Sequence, residues 1–151
     1  MKLAEALIER ADVQKRLAQM TERLKASAKV QEGNTPPEDP AKLLQELGFL
    51  IERFETLIFQ INRTNSESVV EGRPLTAHLA ERDALAKKAA ILRSLMAEAT
   101  PNLARMTRSE LRTLSTVNIA DLRKQIDALS KRHRELDTLI QGSNWSLNLI
   151  E

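Results

Sequence analysis

The residues that interrupt helices are few in this chain, and they lie together at a small number of places. The 151 residues include four glycines and five prolines, and all of these except Gly48 lie within 33–40, 72–74, 101 and 142. The stretches between these places can therefore form long, uninterrupted elements. Aromatic residues make up only 3% of the sequence, and no alternating run rich in Val or Ile suits a strand. The sequence predicts an all-α chain.

Four helical segments are predicted between these breaks, at about 2–32, 40–65, 75–99 and 119–141. Apolar residues recur in each segment at intervals of three and four, as expected for a helix with one apolar face. A short irregular excursion, compatible with a small hairpin at Gly72, separates the second and third segments. An extended tail over 143–151 follows the fourth. We expect long antiparallel helices, arranged as a helical bundle or in a coiled-coil-like way, within a single helical domain over 1–151.

The first segment has two rows of residues spaced seven apart, which predicts a seam against a neighbouring helix. The rows are Leu3, Arg10, Leu17 and Leu24, and Ala6, Val13, Met20 and Ser27. The apolar character of the seam weakens toward its end, where Gly33-Asn34 is the predicted C-cap. An extended linker through Pro36 and Pro37 follows, because each proline disfavours helix at the residue before it.

The second segment is predicted to begin at Pro40, because Asp39 is a suitable N-cap and proline is favoured at the first helical position. An apolar stripe of three residues per heptad predicts contact with at least two neighbouring helices. Gly48 interrupts this stripe, and it either permits a close backbone approach or costs up to ~1 kcal/mol relative to alanine. The predicted core row is Leu44, Leu47, Ile51, Phe54, Ile58 and Ile61, flanked by Leu43, Leu50 and Leu57.

The third and fourth segments are separated by a stretch of mixed character over 103–118. Thr107–Glu110 resembles a capping box, whereas 114–117 favours extended chain. The fourth segment should begin at Asn118, whose side chain can cap the first turn. The predicted face of the third segment is Leu85, Ala89, Leu92, Met96 and Ala99, with Ile91 and Leu95 beside it. The heptad of the fourth is Ile119, Leu122, Ile126, Leu129, His133, Leu136 and Ile140.

The composition excludes several classes of protein. With no cysteine in the sequence, the chain has no disulfide, no thiolate nucleophile and no cysteine-ligated metal. No apolar run approaches the roughly 20 residues that span a bilayer, and acidic residues interrupt the N-terminus too early for a signal peptide. The balance of 23 basic and 21 acidic residues gives a net charge of only +2. We expect a soluble cytoplasmic protein that binds no membrane.

Motifs for catalysis and metal binding are missing from the sequence. It contains no glycine-rich phosphate loop, no dinucleotide fingerprint and no HExxH pattern. A di-iron bundle requires Glu-x-x-His pairs, whereas Glu81 follows His78 and Ser130 precedes His133 by three residues. We therefore predict no catalytic residues, no cofactor and no metal.

A nucleic-acid partner is not expected either. Acidic residues interrupt the basic cluster, and no aromatic residue is placed to stack on a base, so a solvated helix face is the better interpretation. The cluster is Arg105, Arg108, Arg112, Arg123, Lys124, Lys131, Arg132 and Arg134.

Three residues have two interpretations each. His133 occupies a heptad position that otherwise calls for Leu or Ile, so it is either a buried polar residue that fixes register or a pH-sensitive group at an interface. Arg10 either extends its charged end out of the first seam or pairs with an acid on a neighbouring helix. Trp145 either packs over the end of the bundle or lies, with the tail, on a neighbouring subunit.

Several blocks of sequence resemble the septicolysin family of small bacterial helical proteins, over nearly the whole chain. The most distinctive are Ile-Asn-Arg-Thr-Asn at 61–65, Leu-Thr at 75–76 and Ala-Glu-Arg-Asp at 80–83. Further blocks lie at 2–12, 28–33, 115–117 and 134–145. The resemblance implies no established catalytic residue. The family name implies a lytic activity, which the residues themselves do not support.

The distinctive blocks place two polar groups near the turn between the second and third helices. We expect them to form a hydrogen-bonded clamp, with a ligand pocket as the alternative. The first group is Asn62, Arg63 and Asn65, and the second is Glu81, Arg82 and Asp83.

The sequence favours a non-enzymatic, homo-oligomeric assembly or interaction protein, because its apolar stripes are broader than one small bundle needs. Its predicted partner is a second copy of itself, and the sequence leaves open whether it also binds another protein. The alternatives are a small-molecule-binding protein or an enzyme that uses the polar groups, and then a lytic toxin. The predicted contact residues are Phe54, Ile58, Ile61, Leu129, His133, Leu136 and Trp145.

Overall fold

The computed structural model describes residues 1–101 and 111–151, and this part of the chain is mainly helical. Two very short strands follow the second helix. The predicted all-α class is confirmed. The predicted capping box at 107–110 lies outside the described residues, as do Arg105 and Arg108. The elements are α1 (Leu3–Ala26), α2 (Pro40–Glu67), β1 (Val69–Val70), β2 (Arg73–Pro74), α3 (Leu75–Ala99) and α4 (Ile119–Ser146).

Packing divides the chain into two compact units. Unit 1 comprises Met1–Pro74 together with Gly142–Glu151, and unit 2 comprises Leu75–Gln141. Helix α4 contributes to both, because its final turn from Gly142 onward belongs to unit 1. The single domain expected from the sequence stays a prediction.

Within unit 1, α1 and α2 pack against each other in antiparallel orientation. The row of α1 that contains Ala6, Val13 and Met20 is buried, as one of the two predicted rows requires. Arg10 lies in the other row and is half-buried, and its Nε is buried without a hydrogen-bond partner among the described residues. The second row is fully buried only at Leu3, and its residues Leu17 and Leu24 are half-buried like Arg10.

Helix α1 ends at Ala26, so the prediction that it continues to residue 32 and is capped at Gly33-Asn34 is wrong. Ser27 is the C-cap, and it is the last buried residue of the row. Beyond it, Val30 is 49% exposed, so the buried row of α1 does not continue past the C-cap. Gly33 has φ +87°, but it lies in a turn of the linker.

Helix α2 begins at Pro40 as predicted, with the Asp39 side chain accepting a hydrogen bond from the Ala41 N–H at 2.9 Å. Of the predicted core row, however, only Ile61 is fully buried, and the flanking row of Leu43, Leu50 and Leu57 faces the core. Leu44 and Ile51 are 58% and 48% exposed. Rows one residue apart share the same seven-residue period, so periodicity alone does not tell which one faces the core. The residues that α2 buries are Leu43, Leu50, Leu57, Ile61 and Thr64.

The excursion after α2 is the small hairpin that the sequence allowed. Val69 pairs with Pro74 and Val70 with Arg73 in antiparallel register. The two turn residues, Glu71 and Gly72, have φ angles of +47° and +77°. Positive φ at both positions is typical of the two-residue turn that matches the twist of a hairpin.

Helix α4 continues through Gly142 to Ser146, so the predicted end at residue 141 and the extended tail from 143 are wrong. Glycine is tolerated there at a cost of up to ~1 kcal/mol, and the next turn buries Ser143 and Asn144 at 6% and 8% exposure. The extended tail begins at Leu147. It pairs with the N-terminus, where the Leu3 N–H donates to the Leu147 carbonyl at 3.0 Å.

Within unit 2, α3 and α4 run antiparallel and α4 buries much of its predicted heptad. Leu122, Ile126, Leu136 and Ile140 are each no more than 7% exposed. The predicted cap is confirmed, because Asn118 Oδ1 accepts a hydrogen bond from the Asp121 N–H at 3.1 Å. Across residues 1–101 and 111–151, no helix is both long and apolar enough to cross a membrane.

Candidate functional site

The first predicted polar group lies at the end of α2 and makes its contacts within unit 1. Arg63 Nε contacts Glu67 Oε1 at 3.0 Å, and its Nη1 donates to the Glu151 carbonyl at 2.8 Å. Asn62 is exposed and Asn65 is half-buried. Arg63 thus helps to hold the C-terminal tail against α2.

The second predicted polar group lies early in α3 and is paired within unit 2. Arg82 contacts Asp83 at 2.9 Å and Asp137 on α4 at 3.5 Å. Arg132 on α4 contacts Glu81 at 3.0 Å. The pairs with Asp137 and Glu81 join α3 to α4, and both guanidinium groups are ion-paired. The clamp between this group and the one on α2 stays a prediction.

The predicted contact residues differ widely in exposure. Ile61 and Leu136 are each 1% exposed and belong to the core of the chain itself. Phe54, Ile58, Leu129 and His133 are half-buried, and Trp145 is 57% exposed. Ile61 and Leu136 cannot contact another molecule unless the chain opens. The surfaces that are available for contact with another molecule are therefore those with exposed apolar residues.

One such surface lies on α2 and combines exposed apolar side chains with acidic ones. Leu44, Ile51 and Phe59 are 58%, 48% and 63% exposed. A helix turns by about 100° per residue, so these three positions lie within one arc of roughly 100°, together with Gly48, Glu52 and Glu55. Neither glutamate is ion-paired in the described part of the chain. We call these six residues the α2 surface.

A second surface lies on α3 and has a net positive charge, because its two lysines outnumber the exposed Glu98 on the same arc. Ile91 and Leu95 are 60% and 41% exposed, and Lys87 and Lys88 flank them on the same arc of the helix. Neither lysine is ion-paired among the residues that the structure describes. We call these four residues the α3 surface. The sequence pattern placed Ile91 and Leu95 beside the predicted core face of α3 and gave no sign that the lysines lie with them.

Unit 2 also contains a cleft between α3 and α4, with a volume of about 290 Å³. His133 lines this cleft and is half-buried, so it is not enclosed in the core seam. Arg93 spans the two helices, with its Nη2 donating to Ser130 Oγ at 2.9 Å. The lining residues are Leu85, Ala86, Ala89, Arg93, Leu129, Ser130, His133 and Arg134.

The charged groups with shifted pKa values lie elsewhere, in the contacts that join α1 to its neighbours. The hydrogen bond from Arg53 lowers the pKa of Glu9 and outweighs the opposing effect of burial. Hydrogen bonds from Arg23 to Glu38, and to Glu46, raise the pKa of the Arg23 guanidinium. Both shifts follow from ion pairs that stabilise the fold. Neither points to proton transfer chemistry.

Comparison with known proteins identifies a family without an assigned activity. A model described as a family of unknown function (DUF6847) matches residues 10–149. The chain is also 40% identical to a functionally unknown conserved protein from Corynebacterium diphtheriae, whose crystal structure it matches with a TM-score of 0.91 over 99% of each chain. No curated protein matches the sequence. The similarity supports the fold and leaves the function open.

Proposed function

The chain belongs to this family of unknown function, DUF6847, and we propose that it is a non-enzymatic helical assembly protein that functions as a homo-oligomer. The cytoplasmic location expected from the sequence is part of the same proposal. The observation that supports it best is the pair of exposed apolar surfaces with opposite charges, one on α2 and one on α3.

Large apolar side chains on these two surfaces favour association. Phe59 and Ile91 are each at least 60% exposed, and burying such side chains against a partner is favourable by about 25 cal/mol for each Å² of apolar area. Exposed apolar patches of this kind, bordered by charged residues, are typical of protein interaction sites.

The charges favour a second copy as the partner. The α2 surface presents Glu52 and Glu55, whereas the α3 surface presents Lys87 and Lys88. We propose that the α2 surface of one copy packs on the α3 surface of another, with the glutamates beside the lysines. Charge pairs at the rim of an interface set orientation and association rate more than affinity. A contact between two different surfaces produces a closed ring when the rotation from one copy to the next closes. In a dimer with twofold symmetry, the same contact is made twice.

Charge reversal tests this arrangement. Light scattering should show that the native chain is oligomeric at micromolar concentration. The variants E52K/E55K and K87E/K88E should each be mainly monomeric, because each places like charges together. An equimolar mixture of the two should associate again, since every contact between the two variants then joins opposite charges.

Control variants separate this effect from loss of folding. K124E changes an exposed lysine of α4 outside both surfaces and should leave the oligomer intact. Circular dichroism should give the same helix content for all variants. A native chain that is a stable monomer would disprove the proposal, and a mixture that stays monomeric would disprove the proposed pairing of α2 with α3.

The alternative of a small-molecule-binding protein or an enzyme has less support. It would use the polar groups at 62–65 and 81–83. Arg63 and Arg82 are both ion-paired within their own units, so an anionic ligand would have to displace Glu67 from one or Asp83 from the other. The lytic activity implied by the name septicolysin is the third alternative. Release of dye from liposomes by the purified chain would favour that alternative over assembly.

A further inference from the structure

The α3–α4 cleft combines an apolar floor with basic groups. Leu85, Ala89 and Leu129 line its apolar part, and Ala89 is only 3% exposed. Arg93, His133 and Arg134 supply two guanidinium groups and an imidazole, and none of the lining side chains is acidic. Its volume of about 290 Å³ is just below the range of roughly 300–1,000 Å³ that is typical of small-molecule sites, so it suits a small ligand.

The two arginines of the cleft have no carboxylate partner within the described residues. Other arginines of the same helices, Arg82 and Arg132, are paired with acids at 2.9 and 3.0 Å. Arg93 instead donates one hydrogen bond to Ser130 Oγ at 2.9 Å, which positions its guanidinium at the cleft while other N–H groups remain available. The cleft therefore has an excess of positive charge that no residue of its lining balances.

We propose that the α3–α4 cleft binds a small organic anion with an apolar group, such as a carboxylate or a phosphate monoester. The anionic group contacts Arg93 and Arg134, and the Ser130 hydroxyl or the His133 imidazole supplies a further hydrogen bond. The apolar group of the ligand packs on Leu85, Ala89 and Leu129. Guanidinium groups suit both anions, because their planar fork matches carboxylate and phosphate oxygens.

Thermal shift and calorimetric titration with simple probes test this site. Hexanoate and phenyl phosphate should each raise the melting temperature, because a ligand that binds only the folded state stabilises it. Hexanol, which lacks the anion, and acetate and inorganic phosphate, which lack the apolar group, should have little effect at the same concentration. The stronger of the two anionic probes then identifies the preferred headgroup.

Variants of exposed residues keep the test independent of folding. R93A and R134A should each weaken binding of the better probe by about tenfold or more, as expected for loss of a charge-assisted hydrogen bond. A86L, which fills the rim of the cleft, should also weaken it. R123A removes an exposed arginine of α4 outside the cleft and should bind normally.

Three outcomes would overturn the proposal. They are no response to either anionic probe, a response to hexanol equal to that of hexanoate, and unchanged binding by both R93A and R134A. Because E52K/E55K does not alter the cleft, this variant should bind the probe as the native chain does. Binding and oligomerisation can therefore fail or succeed separately.

Discussion

Thr64 on α2 is completely buried, and both hydrogen bonds of its hydroxyl group lie within unit 1. The hydroxyl donates to the Gln60 carbonyl at 2.7 Å and accepts from the Ile150 N–H at 2.9 Å. The second bond joins the C-terminal tail to α2 through a single side chain. Ile150 is half-buried, and an N–H shielded from water is costly when it loses its acceptor, so this threonine is a sensitive point of the fold.

We predict that Thr64→Val destabilises the chain by about 1–2 kcal/mol. Valine keeps the shape of threonine but leaves the Ile150 N–H without its acceptor. Urea denaturation followed by circular dichroism measures the change. Thr56→Val is the matched control, because Thr56 is exposed on the same helix and its hydroxyl bonds only to the Glu52 carbonyl. Equal effects of the two substitutions would contradict the role assigned to the bond with the tail.

Glu9 and Arg53 form a forked ion pair between α1 and α2, with nitrogen–oxygen distances of 2.6 and 2.7 Å. The hydrogen bond from Arg53 holds the pKa of Glu9 below its ordinary value of 4.5. A carboxylate whose pKa is lower in the folded state stabilises that state above the unfolded pKa, and this stabilisation is lost as pH falls through the folded value.

We therefore predict that Arg53→Met lowers the free energy of unfolding at pH 7 and reduces its loss on acidification below about pH 4.5. The effect should be up to about 1 kcal/mol, because both side chains are partly exposed and solvent screens the pair. Denaturation at several pH values measures it. Arg16→Met breaks the Asp12 pair, whose side chains are more than half exposed, and should change little. A steeper pH dependence in Arg53→Met than in the native chain would contradict the assignment.

At the level of elements, the sequence predicted those boundaries that depend on local chemistry. Asp39-Pro40 and Asn118 have specific capping roles, and the helices begin where these residues place them. The end of α4 could not be predicted in this way, because the distant N-terminal segment holds it: Lys2 Nζ donates to the Ser146 carbonyl at 2.9 Å and the Leu3 N–H to the Leu147 carbonyl at 3.0 Å. Gly142 is a helix-stop signal in sequence, but packing in unit 1 outweighs its cost of up to ~1 kcal/mol.

The linker between α1 and α2 depends on Arg23 near the end of α1. Its guanidinium contacts Glu38 in the linker at 2.7 Å and Glu46 on α2 at 3.1 Å. Glu38 lies in the linker and Glu46 lies on α2. The Arg23 side chain therefore holds the linker where it leaves α1 and where it enters α2.

We predict that Arg23→Ala increases trypsin cleavage at Lys29 severalfold with little change in global stability, because the contact is local and partly exposed. Lys29 is an exposed linker residue, so the rate of cleavage there reports local opening. Lys25→Ala is the control, because Lys25 contacts only Glu22 on its own helix. If both variants are cleaved equally fast, Arg23 does not hold the linker.

At the level of the whole molecule, the sequence indicated more apolar surface on α2 than contact with α1 alone requires. It could not indicate which residues remain exposed, because neighbouring rows of α2 share one period and tertiary packing decides which row is covered. Ile61 is 1% exposed, whereas Ile51 on the same helix is 48% exposed. The α3 surface was missed because its lysines and its apolar residues do not follow one heptad row, and the α3–α4 cleft was missed because side chains of two helices line it.

Gly48 lies on the α2 surface, next to the exposed side chains of Leu44 and Ile51. It is itself exposed, and no heavy atom lies within 4 Å of the place where its Cβ would be. In the isolated chain, nothing opposes a methyl group at this position. In the proposed oligomer, the same position faces the α3 surface of another copy, where a glycine permits close approach.

Gly48→Ala and Gly142→Ala therefore separate the single chain from the assembly. Both glycines are exposed within helices and have open space around them, so alanine at either should stabilise the isolated chain by up to ~1 kcal/mol. Only Gly48→Ala adds a methyl group to the α2 surface. We predict that it raises the dissociation constant of the oligomer severalfold, whereas Gly142→Ala leaves that constant unchanged. Sedimentation over a range of protein concentrations measures the constant, and denaturation of the dilute protein measures the stability of the chain. If Gly48→Ala stabilises the chain and the oligomer associates as before, the α2 surface does not pack closely at Gly48 and the proposed interface is wrong.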